Sequence, residues 1–243
     1  MSGASLYPLC ATGLFILLIA FNYIRRPNTD SFLRKIYLLT VFSLFIAIVF
    51  NFISFMLNGK PGRQIRILLY ISNNIYFIAQ NLSYYTAVLF VDYIASKNSS
   101  RTKKIGLVVL AIMGINVIIM ALNLFSGFYF TITPDNRYAN GSMYLVRFYL
   151  SYIAVLMIII DLLASSKFLK QVHVYLIAGF AILIGVGAAL DMTFSGGNLI
   201  WAFFTAAMLQ GYFYILRADT TQDAVTGIGN KASFNEYISH IIR

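Results

Sequence analysis

The chain holds a single cysteine, Cys10, in 243 residues. No disulfide can form within it. With only His173 and His240 beside that cysteine, no cysteine/histidine metal site can be assembled either. Charge is scarce as well: 11% of residues are charged, against about 25% in a typical soluble domain. The carboxylates are Asp30, Asp92, Asp135, Asp161, Asp191, Asp219, Asp223 and Glu236. What is abundant is apolar. Hydrophobic residues make up 60% of the chain and the mean hydropathy is +0.78. A soluble fold of this length could not hide so much apolar surface behind so few charges. The composition excludes an ordinary soluble enzyme, a disordered chain and a secreted disulfide scaffold, and leaves an integral membrane protein. The net charge of +10 then calls for no nucleic-acid partner, because cytoplasmic loops of membrane proteins collect Lys and Arg.

Seven apolar runs are long enough to cross a bilayer, at about 5–24, 36–57, 67–95, 105–125, 143–163, 172–190 and 199–216. Pro27, Pro61 and Pro134 fall between runs and Pro8 near an end, so no run carries a proline at its centre. Membrane strands would read as alternating segments of about 10 residues. These runs are longer and evenly apolar, so the expectation is an all-α bundle of seven transmembrane helices. No lysine lies inside a run, which excludes a Schiff base to retinal.

Loop charge sets the orientation. With the N-terminus outside, the inner segments hold Arg25, Arg26, Arg34, Lys35, Lys97, Arg101, Lys103, Lys104, Lys167, Lys170, Arg217, Lys231 and Arg243. The outer loops hold Lys60, Arg63, Arg66 and Arg137. Thirteen against four places the N-terminus outside and the C-terminus in the cytoplasm, although Lys60, Arg63 and Arg66 dissent.

Polar groups at membrane depth are costly, so each is a candidate for function or for a bond between helices. The third run is the most polar. Asn73 and Gln80 are seven apart, as are Asn74 and Asn81, and together they read as one broad stripe facing the interior. Arg147 lies near the outer end of the fifth run. It requires Asp191, an amide of the third run or an anionic ligand as partner, or else it snorkels to the surface. A ligand pocket is expected in the outer half, lined by Asn73, Asn74, Gln80, Asn81, Arg147, Tyr152, Asp191 and Trp201. Asp92 and Asp161 lie near inner ends and are expected to pair with basic loop residues. Ala181, Gly185 and Ala189, at four-residue spacing, offer a small face to a neighbouring helix.

The composition changes after Leu216. A glycine-containing turn leads to an Asn cap and an amphipathic segment with Phe234, Tyr237, Ile238, Ile241 and Ile242 on one face. The chain stops within that helix, and the expectation is that it belongs to a longer protein. Residues Asp223, Thr226, Gly227, Asn230 and Phe234 resemble the opening of bacterial diguanylate cyclase (GGDEF) domains, Asp-x-Leu-Thr-Gly-Leu-x-Asn-Arg-Arg-x-Phe. Val225, Ile228 and Lys231 are mild departures, and the match covers about 12 residues. Residues 1–216 resemble, by span count and position only, the seven-transmembrane sensory regions found before GGDEF and histidine kinase modules. The resemblance implies a sensory domain at 1–216, a signalling linker at 217–222 and an incomplete GGDEF-like domain at 223–243. It implies a bacterial inner-membrane location and condensation of two GTP molecules into cyclic di-GMP with Mg²⁺, as a dimer through the cytoplasmic part. The acidic catalytic signature would lie beyond Arg243, so no catalytic residue or cofactor is assigned to these residues. The ligand would be a small molecule, lipid or peptide. A transporter or channel, or a sensor feeding a histidine kinase, are the alternatives.

Overall fold

The computed structural model describes residues 6–24, 31–165, 171–193 and 199–221. Seven helices run through them: α1 Leu6–Ile24, α2 Ser31–Leu57, α3 Arg63–Ser96, α4 Ser99–Ser126, α5 Val146–Ser165, α6 Gln171–Thr193 and α7 Leu199–Thr221. Four contain stretches long and apolar enough to cross a membrane: Ser31–Leu57, Ser99–Ser126, His173–Thr193 and Leu199–Leu216. That is the mark of a multi-pass membrane protein. Among the described residues α1 and α5 offer shorter apolar stretches, Ala11–Ile24 and Phe148–Ala164. Helix α3 has 34 residues, about 51 Å by helical rise, against a hydrocarbon core of about 30 Å. It is the least apolar of the seven and the most deeply buried, from Leu69 to Ile94. The two go together, since a polar helix in lipid must turn its amides toward protein.

Helix packing follows a closed circuit. α1 packs on α2 and α7, α2 on α3, α3 on α5, α5 on α6, and α6 on α7. α4 is set outside this circuit, packed mainly against α3. Its contact face is Val109, Met113, Asn116, Met120 and Asn123, a helical repeat, and the rest is open, with Leu107, Leu110 and Ile118 more than half exposed. Tyrosine hydroxyls tie the circuit across its middle. Tyr37 donates to the Met208 carbonyl at 2.8 Å, joining α2 to α7, and Tyr85 donates to Leu150 at 3.1 Å, joining α3 to α5.

Three expectations from sequence change here. The connection between the third and fourth runs, read as 96–104, is only Lys97 and Asn98. Lys97 turns the chain at φ 50° and the Asn98 side chain accepts from the Arg101 amide at 3.1 Å, capping α4. Arg101, Lys103 and Lys104 therefore lie on α4 itself. Second, the connection between α4 and α5 holds an antiparallel hairpin, β1 Phe130–Ile132 with β2 Tyr138–Asn140. Third, of the small face expected at Ala181, Gly185 and Ala189, Gly185 does meet a neighbouring helix, α5, and Ala189 does not. Ala189 is exposed, and a Cβ on Gly185 would make ordinary contact with Val155 of α5 at 3.7 Å. α7 instead seats on Gly179 and Gly187. A Cβ on Gly179 would strike Gln210, and one on Gly187 would sit 2.7 Å from the Phe203 Cβ.

Candidate functional site

Polar side chains gather at both ends of the bundle. At one end, α3, α4 and α5 meet around a single guanidinium. Arg101 Nε lies 3.1 Å from Asp92 Oδ1, and Arg101 Nη2 pairs with Asp161 Oδ1. Thr102 adds a hydrogen bond from its Oγ1 to Asp92 Oδ2 at 2.5 Å. Asp92 is 1% exposed and Asp161 7%. Two carboxylates at such burial would repel one another. One arginine, with donors in two directions, lies within ion-pair reach of both. The expected pairing of Asp92 and Asp161 with basic residues is thus present, with one arginine serving both. Asp92 Oδ1 and Asp161 Oδ2 accept no hydrogen bond among the described residues, so the guanidinium neutralises the two acids by charge and the arrangement is a structural clamp between three helices.

At the other end, the hairpin and the α2–α3 connection are stitched together. Asn136, at φ 55°, donates through Nδ2 to the carbonyls of Lys60 (2.8 Å) and Gly62 (3.0 Å). The Gly59 amide donates to the Asn136 carbonyl at 2.7 Å, and the Tyr138 amide to Asn58 Oδ1 at 2.7 Å. Arg66 donates to the Ile132 carbonyl at 3.0 Å. Buried Asn123, in the last turn of α4, anchors the strand from beneath. Its Oδ1 accepts from the amides of Tyr129 (2.7 Å) and Phe130 (3.2 Å), and its Nδ2 donates to the Phe130 carbonyl at 3.0 Å. Below this cap Phe77 of α3 meets the rings of Tyr129, Phe130 and Tyr138 at 5.0, 5.6 and 6.5 Å.

The residues expected to line one pocket divide between places. Asn73, Gln80 and Asn81 are buried in the bundle with Trp201. Asn73 donates to its own helix at Leu69, 2.8 Å, and Gln80 Nε2 donates to the Tyr84 hydroxyl at 3.1 Å. Tyr84 stacks on Phe204 of α7 at 5.3 Å, and Tyr76 meets Trp201 edge-on at 5.7 Å, so this stripe of α3 faces α7. Asn74 does not join it. A residue 100° around the helix from Asn73, it is half-buried and lines a groove toward α4. Asp191 is half-buried at the end of α6, and Tyr152 is 37% exposed. The Arg147 side chain lies outside the described residues. So do Arg25, Arg26, Lys167, Lys170 and the GGDEF-like residues Asp223, Thr226, Gly227, Asn230 and Phe234.

Two groups on α7 stand out in the interior that sequence reading did not pair. The Trp201 Nε1 and the Thr205 Oγ1, one helical turn apart, are buried with no hydrogen-bond partner among the described residues. Leaving such a group unsatisfied costs about 1–3 kcal/mol, so each calls for a water or a ligand atom. Their spacing of four was readable in the sequence. Their shared lack of a partner was not.

No protein-family model matches the chain. No curated protein matches it either. The likeness at 223–234 therefore stands on those residues alone.

Proposed function

We infer that the chain is the sensory membrane region of a bacterial signalling protein of the inner membrane. In this reading it has seven spans, with the N-terminus outside and the C-terminus in the cytoplasm. It binds a small ligand from the exterior or from the membrane, in the outer half of the bundle, and regulates a cytoplasmic diguanylate cyclase. The observation that carries the reading is the Asp223–Phe234 pattern, spaced as in GGDEF domains and placed just after α7. Two features of the fold support it. α7 stays helical through Thr221, five residues past the apolar stretch that ends at Leu216, so a stiff rod leads from the bundle to the motif. The orphan polar groups Trp201 and Thr205 sit on that same rod. A ligand atom bound to them would act on the output helix without an intermediate. Shifting a two-state balance from 1:99 to 99:1 requires about 5.5 kcal/mol of differential binding, several hydrogen bonds' worth.

Reporter fusions after Asn98 and after Asn136 test the topology. They are expected to report cytoplasm and exterior respectively, and the same compartment for both sinks it. The output is tested by expressing the complete natural reading frame. With GTP and Mg²⁺ it is expected to yield cyclic di-GMP, while residues 1–243 alone yield none. A natural continuation without an acidic GGDEF-like loop refutes the cyclase reading.

A further inference from the structure

Between α3 and α4 runs an apolar groove of about 560 Å³. Ile67, Ile71 and Ile78 of α3 and Val117, Ala121 and Leu124 of α4 form its walls, with Asn74 the one amide on them. It exists because α4 leans on α3 alone along this side, and because Ala121 is small. From Ile67 to Ile78 the groove follows α3 for about 16 Å by helical rise, half of the roughly 30 Å hydrocarbon core. Its length matches the depth of one leaflet, and it lies on an outward-facing side where Ile67, Ile71 and Leu124 are each about half exposed.

Charge marks one mouth only. Arg63 stands one turn beyond Ile67 on the same face of α3, and Arg66 beside it is held toward the hairpin by its bond to Ile132. Lys60 lies just before them in the chain. These are the three cations that depart from the inside-positive pattern. Their placement is costly to explain by topology and simple to explain by a phosphate. An arginine pair above an acyl-sized channel is complementary to an anionic amphiphile, head and tail in the right order.

We propose that the α3–α4 groove binds an anionic phospholipid, its acyl chain along Ile67–Ile78 and its phosphate at Arg63 and Arg66. The assignment to the outer leaflet and the argument from the inside-positive pattern rest on the topology proposed above; the groove and the arginines at its mouth do not. The site is distinct from the interior around Trp201, and of the eight expected pocket residues it uses only Asn74.

The test is lipid retention by native mass spectrometry. The protein is taken from vesicles of equal phosphatidylglycerol and phosphatidylcholine. The wild type is expected to keep phosphatidylglycerol in preference. Arg63→Gln should weaken that retention about fivefold, the effect of one basic residue near a lipid surface. Ala121→Phe should fill the groove and abolish retention of either lipid at this site. Ala121 is exposed, so the change does not enter the packed core, and Ile71→Trp offers the same block from the α3 wall. Equal retention of the two lipids by the wild type overturns the proposal. So does a folded Ala121→Phe protein that keeps phosphatidylglycerol as before. Neither measurement involves cyclase output. A cytoplasmic signal from the Asn136 fusion would overturn the leaflet and the topology, whereas retention reads the groove itself.

Discussion

Arg101→Ala is expected to destabilise the bundle by about 3 kcal/mol. Removing one partner of a buried ion pair leaves an uncompensated charge, at a typical cost of about 3–5 kcal/mol. Here two carboxylates, Asp92 and Asp161, lose their shared counter-ion together. The lower end of that range applies, because the arginine side chain is 40% exposed and water can partly replace it. The diagnostic is the pattern among variants. Arg101→Lys keeps the charge but not the fork, so it should recover only part of the loss. Adding Asp92→Asn and Asp161→Asn to Arg101→Ala should recover stability, because the stranded charges are then gone. Denaturation in a fixed detergent measures all of these. An Arg101→Ala protein as stable as the wild type would show that the two carboxylates do not depend on it.

The second large effect lies at the opposite end. Asn123→Ala is expected to cost about 2–4 kcal/mol, because it strips partners from two buried amides and a carbonyl at once, each at about 1–3 kcal/mol when left unmade. Tyr129 and Phe130, whose amides it holds, are fully buried beneath the cap. The loss should be local in the first instance. Hydrogen exchange at those two amides should speed up markedly while the middle of α3 keeps its protection. Asn123→Asp retains the acceptor and loses the donor to Phe130, so it should still hold the two amides while placing a charge against a carbonyl. Unchanged exchange at Tyr129 and Phe130 in Asn123→Ala would remove Asn123 from its anchoring role.

Both sites were half legible in advance. Asp92 and Asp161 are readable as acids near inner helix ends, with basic residues close by in the chain. That a single arginine reaches both is not readable, since it depends on α3, α4 and α5 converging at one point. Asn123 carries no mark in the sequence at all. An asparagine near a helix end is common, and its value appears only when the following segment folds back over it. The hairpin had a faint signal: aromatic and β-branched residues from Tyr129 to Thr133 before Pro134-Asp135-Asn136, with Tyr138 after it.

The sequence by itself determined the class of protein and where its apolar helices lie. Apolar run length and the scarcity of charge suffice for that, because a chain with so little polar surface has no other stable solution than lipid. It also determined that most of α3's amides, Asn73, Gln80 and Asn81, turn inward, since hydrocarbon cannot satisfy them. Only the tertiary structure decided which face of each apolar helix meets which neighbour. In water a helix shows its buried face by contrast with a polar one. In lipid both faces are apolar, so α2, α4 and α6 carry almost no such contrast. That is why α4 could stand outside the circuit, α7 could seat on Gly179 and Gly187 rather than on Ala181 and Gly185, and Asn74 could turn from its neighbour Asn73 toward the groove. Those choices are made by the fit of side chains across helices, and no pattern along one helix contains it.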